Sequence, residues 1–286
     1  MNQYSVCGIN FYSEIELPLH RSEKDNANFT IIKKSSYPKL NFFNESILFQ
    51  KNSIFIRTKT SNIFEIKRSN EIFIYSLDKE SRNNIWIEFL GIPLGYALRK
   101  SGFTVIHGSS ICLDNYAACI VGFSGVGKST LSIGLINEGF SFITEDLCVI
   151  KNNEIFQPSS WIKNTNKNMK DLNIDFKQKL RIASDSRKRD LFNLNGHQCK
   201  NKSIPKAFYF PIDSNKKMIN KMKKEDAFKF IFASFYRMHN NEVDNLEKIT
   251  TLIESVPCYF FLRDKRAPIK ENTEYLSSHF KDLIKA

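Results

Sequence analysis

Short apolar runs alternate with polar stretches over the first 90 residues. Five of these runs have the length and the β-branched or aromatic content of strands, and they lie at residues 28–32, 46–49, 53–57, 63–66 and 71–75. Between residues 84 and 100 the apolar positions change to helical spacing, on a stripe formed by Ile85, Phe89, Leu90, Leu94 and Leu98. Pro93 falls inside this stripe and predicts a kink or a split. The pattern predicts a β-rich N-terminal module at residues 1–95.

A different order of elements fills residues 96–286, which we take as a second domain. An apolar run ending at Val121 leads into a glycine-rich turn, and helical spacing follows until Gly139, which is placed to stop the helix. Residues 140–150 predict two short strands that meet at an acidic pair. The resulting fold class is a mixed α/β (α+β) architecture.

The remaining predictions for this second domain are coarser. Residues 224–234 and 245–255 have the pattern of helices, and residues 257–262 that of a strand. Residues 211–215 are typical of an ordinary turn that offers no chemistry.

The glycine-rich turn carries the most specific chemistry in the sequence. Gly122-Phe-Ser-Gly-Val-Gly127-Lys128-Ser129 is a P-loop (Walker A) pattern in its strand–turn–helix setting. Its glycines let successive N–H groups at residues 124–129 converge on a phosphate at the helix N-terminus. Lys128 would reach the β- and γ-phosphates of ATP, and the Ser129 hydroxyl would ligate Mg²⁺. The predicted nucleotide-binding residues are Gly122, Ser124, Gly125, Val126, Gly127, Lys128, Ser129 and Thr130.

Three further residues are candidates for catalysis. The helix after Lys128 returns the chain along the sheet, so Glu145 and Asp146 can approach the γ-phosphate. One carboxylate could hold Mg²⁺ while the other accepts a proton from an attacking hydroxyl; the alternative is a solvated turn. His107 lies in an apolar run, where a hydrogen-bonded structural histidine is the commoner case. Gly108 after it indicates close backbone approach instead of simple core packing.

The run from His107 through the P-loop to Glu145-Asp146 resembles the catalytic core of the bacterial HPr kinase/phosphorylase superfamily. The resemblance implies a fold related to phosphoenolpyruvate carboxykinase and a protein serine as phosphoryl acceptor. It also implies that His107 lies beside the phosphate site and that Lys128 and Ser129 handle phosphates and metal. The acidic pair would supply the base and a metal or water contact, with Ser129 and Asp146 as the metal residues.

The chain departs from that family at three points. Phe123 replaces the loop Asp of the family, which bears on reverse phosphorolysis, and Glu145 replaces the first Asp of the pair. Which acid is the base therefore stays open. The family's downstream phosphorylase signature and second metal-binding Glu have no clear match. Residues 4–18 and 255–263 resemble HPr-kinase-like proteins found with peptide-modification genes, including lasso-peptide systems, some of which phosphorylate a serine on a precursor peptide.

Composition agrees with an enzyme that has a real core: the 286 residues are 42% apolar and 25% charged. No apolar stretch is long enough to span a bilayer, and no basic region followed by an apolar one opens the sequence. We therefore expect a cytoplasmic protein with no membrane partner.

Its six cysteines show no Cys-x-x-Cys spacing, so we expect reduced core thiols and no zinc site.

The net charge of +12 is concentrated in one segment. Residues 151–224 contain eighteen Lys or Arg against six Asp or Glu, so the rest of the chain balances. This segment could recruit an acidic peptide or stabilise phosphate, and nucleic acid is not expected because no reader motif accompanies it. Within it, the knot at residues 187–189 could supply an arginine finger or form an exposed hairpin tip.

Together these observations predict an ATP-dependent serine kinase with Lys128, Glu145, Asp146 and His107 in its catalytic machinery and a protein or peptide serine as acceptor. A nucleotide-dependent binding module is the alternative. A carboxykinase-like metabolic enzyme is a third possibility. The related fold favours it, but this chain is shorter than such an enzyme is expected to be. The acceptor, the donor (ATP, GTP or pyrophosphate), the reverse reaction and a homo-oligomeric state stay open.

Overall fold

The structure is a computed structural model that describes residues 1–23, 26–42, 45–76, 82–181, 188–194, 196–199, 202–239 and 241–285. The chain divides into two compact units. The first contains Met1–Ser101, and the second contains Gly102–Leu180 and the chain from residue 188 onward.

The first unit is a seven-stranded mixed sheet followed by two helices. Its elements are β1 (Asn2–Val6), β2 (Ile9–Ser13), β3 (Phe29–Lys34), β4 (Ile47–Gln50), β5 (Ser53–Arg57), β6 (Ile63–Lys67), β7 (Glu71–Tyr75), α1 (Arg82–Phe89) and α2 (Ile92–Lys100). The strand order is β1-β2-β3-β7-β6-β5-β4. The five strands that the apolar runs predicted are confirmed as β3 to β7.

The helical stripe at residues 84–100 is divided into two helices at Leu90 and Gly91. Pro93 lies in the first turn of α2, where its missing N–H costs no hydrogen bond within the helix. The predicted split at this proline is confirmed.

The second unit combines a large mixed sheet, a small sheet and five helices among the described residues. In chain order its elements are β8 (Thr104–Leu113), β9 (Tyr116–Val121), α3 (Lys128–Ile136), β10 (Ser141–Thr144), β11 (Leu147–Lys151), β12 (Glu154–Phe156), β13 (Trp161–Asn164), α4 (Asn166–Asp171), β14 (Gln178–Leu180), β15 (Asp190–Asn193), β16 (Ile204–Ser214), β17 (Met218–Lys221), α5 (Lys224–Ser234), α6 (Glu242–Ser255), β18 (Cys258–Asp264) and α7 (Ile269–Lys285).

The large sheet has the order β12-β11-β8-β9-β16-β18-β17, with β10 also paired to β8. Its centre is parallel, because β16 runs parallel to both β9 and β18. The other pairs are antiparallel. The small sheet has the order β13-β15-β14. Mixed strand directions with helices make this a mixed α/β fold.

Strand β9 shows how the sheet is buried on both faces. Ala117, Cys119 and Val121 belong to the apolar cluster that contains residues of α5 and α6. Ala118 and Ile120, the alternate residues, belong to the cluster that contains residues of α3 and α7. This two-residue alternation places the core on both sides of the strand and holds its carboxyl end, where the P-loop begins, in a fixed position.

Strand β16 corrects the prediction of a turn at residues 211–215, because the strand continues to Ser214. Pro211 pairs with Phe261 of β18, whereas β9, the neighbour on the other side, has already ended at Val121. A proline is tolerated at such an edge position because no ladder hydrogen bond is required of it on the open side.

The cysteines also differ in part from expectation. Cys112 and Cys199 form a disulfide, whereas Cys7, Cys119, Cys148 and Cys258 are free thiols. The prediction of reduced thiols was therefore wrong for this one pair, which sequence spacing could not reveal because the two residues are 87 apart.

None of the helices in the described ranges combines the length and apolarity that crossing a bilayer requires.

Candidate functional site

The P-loop connects β9 to α3 in the conformation that its glycines permit. Gly125 and Gly127 have φ values of +97° and +83°, which side chains with a Cβ rarely adopt. Helix α3 begins directly after Gly127, and no side chain caps its N-terminus. Its first N–H groups therefore point toward the loop, which is the arrangement that binds an anion at a helix N-terminus.

Lys128 is folded back over this loop. Its Nζ donates hydrogen bonds to the carbonyl oxygens of Gly122 (2.8 Å) and Phe123 (3.0 Å). The residue is only 7% exposed. A positive charge is thus held against the P-loop.

Glu145 lies between the P-loop and β13. The Ser129 hydroxyl donates a hydrogen bond to Glu145 Oε1, and the backbone N–H of Lys163 donates to Oε2 at 2.5 Å. The residue is 8% exposed. Both oxygens of this carboxylate are therefore fixed, one of them by the P-loop serine.

Asp146 is the turn residue between β10 and β11 and has a φ of +65°. Its carboxylate forms an ion pair with Lys163 Nζ. Its carbonyl accepts a hydrogen bond from the Gly108 N–H (3.2 Å) and lies 3.1 Å from His107 Nδ1. Since aspartate tolerates left-handed backbone better than most residues, this turn can direct one acid toward Ser129 and the other toward Lys163.

The two acids have opposite pKa shifts. Burial, and then the neighbouring Asp146 charge, raise the pKa of Glu145 to about 7. Burial also acts to raise the pKa of Asp146, but Lys163, His107 and Lys128 outweigh it and lower that pKa to about 2. Burial lowers the pKa of His107, so the imidazole is held toward its neutral form. Near neutral pH, Asp146 is the acid that is always ionised.

These groups line one cleft of about 210 Å³. Its lining consists of His107, Ser124, Gly125, Gly127, Lys128, Ser129, Thr130, Glu145, Asp146, Lys163, Asn164, Thr165, Asn168 and Arg189. The fold thus brings the predicted catalytic residues and most of the predicted loop residues together. Gly122 and Val126 belong to the same turn without lining the cleft.

Sequence reasoning missed the wall formed by β13 and α4. Thr165 caps α4 by accepting a hydrogen bond from the Asn168 N–H, and the Asn168 side chain reaches Thr130 Oγ1 at 3.5 Å. Lys163, from the same wall, contacts both acids. These residues carry no motif, and in the sequence they were only part of the basic segment.

The predicted basic knot contributes one residue to the cleft. Arg189 lies in its lining, Lys188 has a φ of +53°, and residue 187 lies outside the described residues. Both the arginine finger and the exposed hairpin tip therefore stay predictions.

The donor set beside Ser129 fits Mg²⁺. No group of three His, Cys, Asp or Glu side chains able to hold a metal occurs within the described ranges. Mg²⁺ does not need such a group, because it keeps several waters and takes one or two carboxylates together with substrate phosphates. The hydroxyl of Ser129 and the carboxylate hydrogen-bonded to it offer these hard oxygen ligands, whereas Asp146 is engaged by Lys163.

No family model and no curated protein matches the chain. Among solved structures, the chain is similar to one titled "Structure of the Hpr(Ser) kinase/phosphatase from Coxiella burnetii", at 10% identity and a TM-score of 0.34, covering 63% of this chain and 98% of that one. A likeness at this TM-score carries no argument, so the function has to be inferred from the cleft itself.

Proposed function

We propose that this chain is an ATP-dependent kinase that transfers the γ-phosphoryl group to a serine hydroxyl on a protein or peptide. One observation carries the proposal: the P-loop serine is hydrogen-bonded to the first acid of a pair, and the second acid forms an ion pair with Lys163 in the same cleft. A phosphate-binding loop, a metal-binding oxygen pair and a separate base are the parts that phosphoryl transfer needs.

The contacts of the two acids support a different role for each. Ser129 and Glu145 would hold Mg²⁺, since their oxygens already meet. When bound there, Mg²⁺ neutralises charge on the phosphate oxygens. Asp146 would be the base, because Lys163 keeps it ionised and fixes its orientation.

The transfer itself can be written with its atoms balanced. The acceptor oxygen forms a bond to the γ-phosphorus, the bond from that phosphorus to the bridging oxygen breaks, and ADP leaves. The acceptor proton passes to the Asp146 carboxylate. A carboxylate with a low pKa suffices, because proton removal is late in a loose transition state and orientation of the hydroxyl matters more than base strength.

Two further residues support this step. Lys128 places its positive charge beside the phosphates and stabilises charge that develops during transfer. His107 lies against the Asp146 carbonyl and fixes the turn that carries the base. We assign both roles from their positions in the cleft.

We propose an acidic peptide, such as a ribosomally made precursor peptide, as the acceptor class. The charge surplus of residues 151–224 supports this, because the segment includes Lys163 and Arg189 in the cleft wall. Opposite charge increases the encounter rate of such a peptide with the site.

The test is mass spectrometry of serine-containing acidic peptides after incubation with Mg²⁺-ATP. We expect a gain of one phosphoryl group with the wild type and a loss of at least about a hundredfold in rate with Asp146→Asn, while ATP affinity is retained. Asp171→Asn, at an exposed position of the second unit, is the matched control and should act like the wild type.

Glu145→Gln should instead raise the Mg²⁺ concentration needed for transfer. Tight ATP binding without transfer to any acceptor would contradict the kinase proposal and favour a nucleotide-dependent binding module. Full activity of Asp146→Asn would contradict the assignment of the base.

A further inference from the structure

A half-buried arginine, Arg263, lies beside the P-loop but is not among the residues that line the cleft. Arg263 is on β18, where its register partner on the parallel strand β16 is Asp213. Asp213 Oδ1 accepts a hydrogen bond from Nε of this arginine at 2.7 Å and forms an ion pair with Nη2 at the same distance. The arginine side chain is only 16% exposed. Asp213 therefore holds the guanidinium in one orientation.

The third guanidinium nitrogen is directed at the P-loop. A Cβ built on Gly127 would lie 2.4 Å from Nη1 of Arg263. Nη1 of Arg263 thus occupies the space that the side chain of any other residue at position 127 would fill. Gly127 is the loop residue that immediately precedes Lys128 and the uncapped N-terminus of α3, so the guanidinium lies beside the first turn of that helix.

Strand order places Arg263 and the acids on opposite sides of the loop. Strand β9, which carries the P-loop, has β8 and then β11 on one side and β16 and then β18 on the other. Glu145 and Asp146 lie at the β10–β11 turn, on the β8 side. A polyphosphate on the loop therefore has the base at one end and Arg263 at the other.

We propose that Arg263, held by Asp213, binds the phosphates that the donor retains after transfer. The identity of these phosphates rests on the proposed kinase function. The transferred phosphoryl group must meet Asp146, so the phosphates that stay on the donor face Arg263. A guanidinium is always charged and offers donors in a planar fork, which lets it hold a carboxylate and a phosphate together.

Calorimetric titration with Mg²⁺-ADP and with a non-hydrolysable Mg²⁺-ATP analogue tests this. Arg263→Gln should weaken both nucleotides by the same factor, about ten- to a hundredfold, which is the worth of one charged hydrogen bond. At saturating ATP its kcat should stay within about threefold of wild type while KM rises, because contacts to retained phosphates bind substrate and transition state alike. Arg266→Gln removes an equal charge from the same edge at a side chain that is 73% exposed, and it should bind as the wild type does.

Three results would overturn the assignment: unchanged ADP affinity in Arg263→Gln, a loss confined to the ATP analogue, or an equal loss in Arg266→Gln. If Arg263→Gln does not fold, as judged by nucleotide-free thermal unfolding, Arg263→Lys decides. Lysine keeps the charge but lacks the planar fork that holds a carboxylate on one side and a phosphate on the other, so a three- to tenfold loss of ADP affinity is expected. Wild-type affinity would refute the role.

The titration separates this inference from the kinase proposal. The loss of ADP affinity needs no phosphoryl transfer, so it would stand even if no acceptor were ever phosphorylated. Conversely, normal transfer with normal ADP binding in Arg263→Gln would remove the role of Arg263 and leave the kinase intact.

Discussion

Glu145→Gln is expected to stabilise the nucleotide-free and metal-free protein at pH 8 and to destabilise it slightly at pH 5. Burial and the neighbouring Asp146 raise the pKa of Glu145 from 4.5 to about 7. The folded state therefore opposes ionisation of this carboxyl group. The stability that the neutral form contributes is fully present below pH 4.5 and is lost as the pH rises through about 7.

The magnitude follows from the same two values. A pKa difference from 4.5 to about 7 corresponds to about 3 kcal/mol of unfolding free energy lost by pH 8. Glutamine cannot ionise, but it loses the better hydrogen bonds of the acid, a cost of about 1 kcal/mol. The net expectation is about 2 kcal/mol of stabilisation at pH 8. At pH 5 it is only a few tenths of a kcal/mol of destabilisation, because the unfolded carboxyl group is already mostly ionised there.

The assay is urea unfolding in EDTA, followed by tryptophan fluorescence. The chain has two tryptophans, so a Trp86→Phe background leaves Trp161 of β13 as a reporter within the second unit. Glu254→Gln, at an exposed position of α6, is the control and should show the pH dependence of the parent. If Glu145→Gln and its parent differed by the same amount at both pH values, the reasoning on the buried acid would be refuted.

Three further perturbations test other parts of the site. Lys163→Met should raise the pKa of Asp146 from about 2, so the acidic limb of a pH–kcat/KM profile should move to higher pH; an unmoved limb would contradict the pairing. Gly127→Ala and Gly139→Ala both place a Cβ on backbone with positive φ, which lowers the unfolding free energy by about 1 kcal/mol in each case. Only the Cβ at residue 127 meets a neighbour, the Arg263 side chain. ADP affinity should therefore fall at least tenfold in Gly127→Ala and stay unchanged in Gly139→Ala. Equal ADP affinities of the two variants would contradict a displacement of Arg263 by the added Cβ. Cys199→Ser opens the disulfide and should cost up to about 4 kcal/mol by loop entropy; a reductant should then lower the melting temperature of the wild type only.

The parts of the site that are contiguous in sequence could be predicted from it. The P-loop is a local pattern in which glycines, lysine and serine follow a strand and open a helix. The acid pair was predicted for a similar reason, because a short helix followed by a strand has few ways to return to the sheet. Strands β3 to β7 and helix α5 were found because their apolar periodicity is local.

The remaining site residues could not be predicted, because tertiary packing alone brings them to the loop. Lys163 comes from a small separate sheet, and Arg263 comes from a strand near the end of the chain. Residues 211–215 looked like a turn because proline and polar residues cluster there. Their neighbour β18 nevertheless continues the ladder, and no single-segment pattern contains that information.

The distinction between the two acids also needed the structure. Side by side in sequence, Glu145 and Asp146 are chemically alike. The left-handed turn at Asp146 sends one carboxylate to Ser129 and the other to Lys163. We therefore base the two proposed roles, metal binding for Glu145 and proton acceptance for Asp146, on environment and not on residue type.

The disulfide between Cys112 and Cys199 gives the chain a covalent ring. Of the residues that line the cleft, all except His107 fall inside the segment that this ring closes. A single protease cut within the ring would therefore leave both fragments joined and would appear as two bands only after reduction. The same ring keeps the phosphate-binding loop and the acidic pair tethered to Arg189 even when the sheet around them opens.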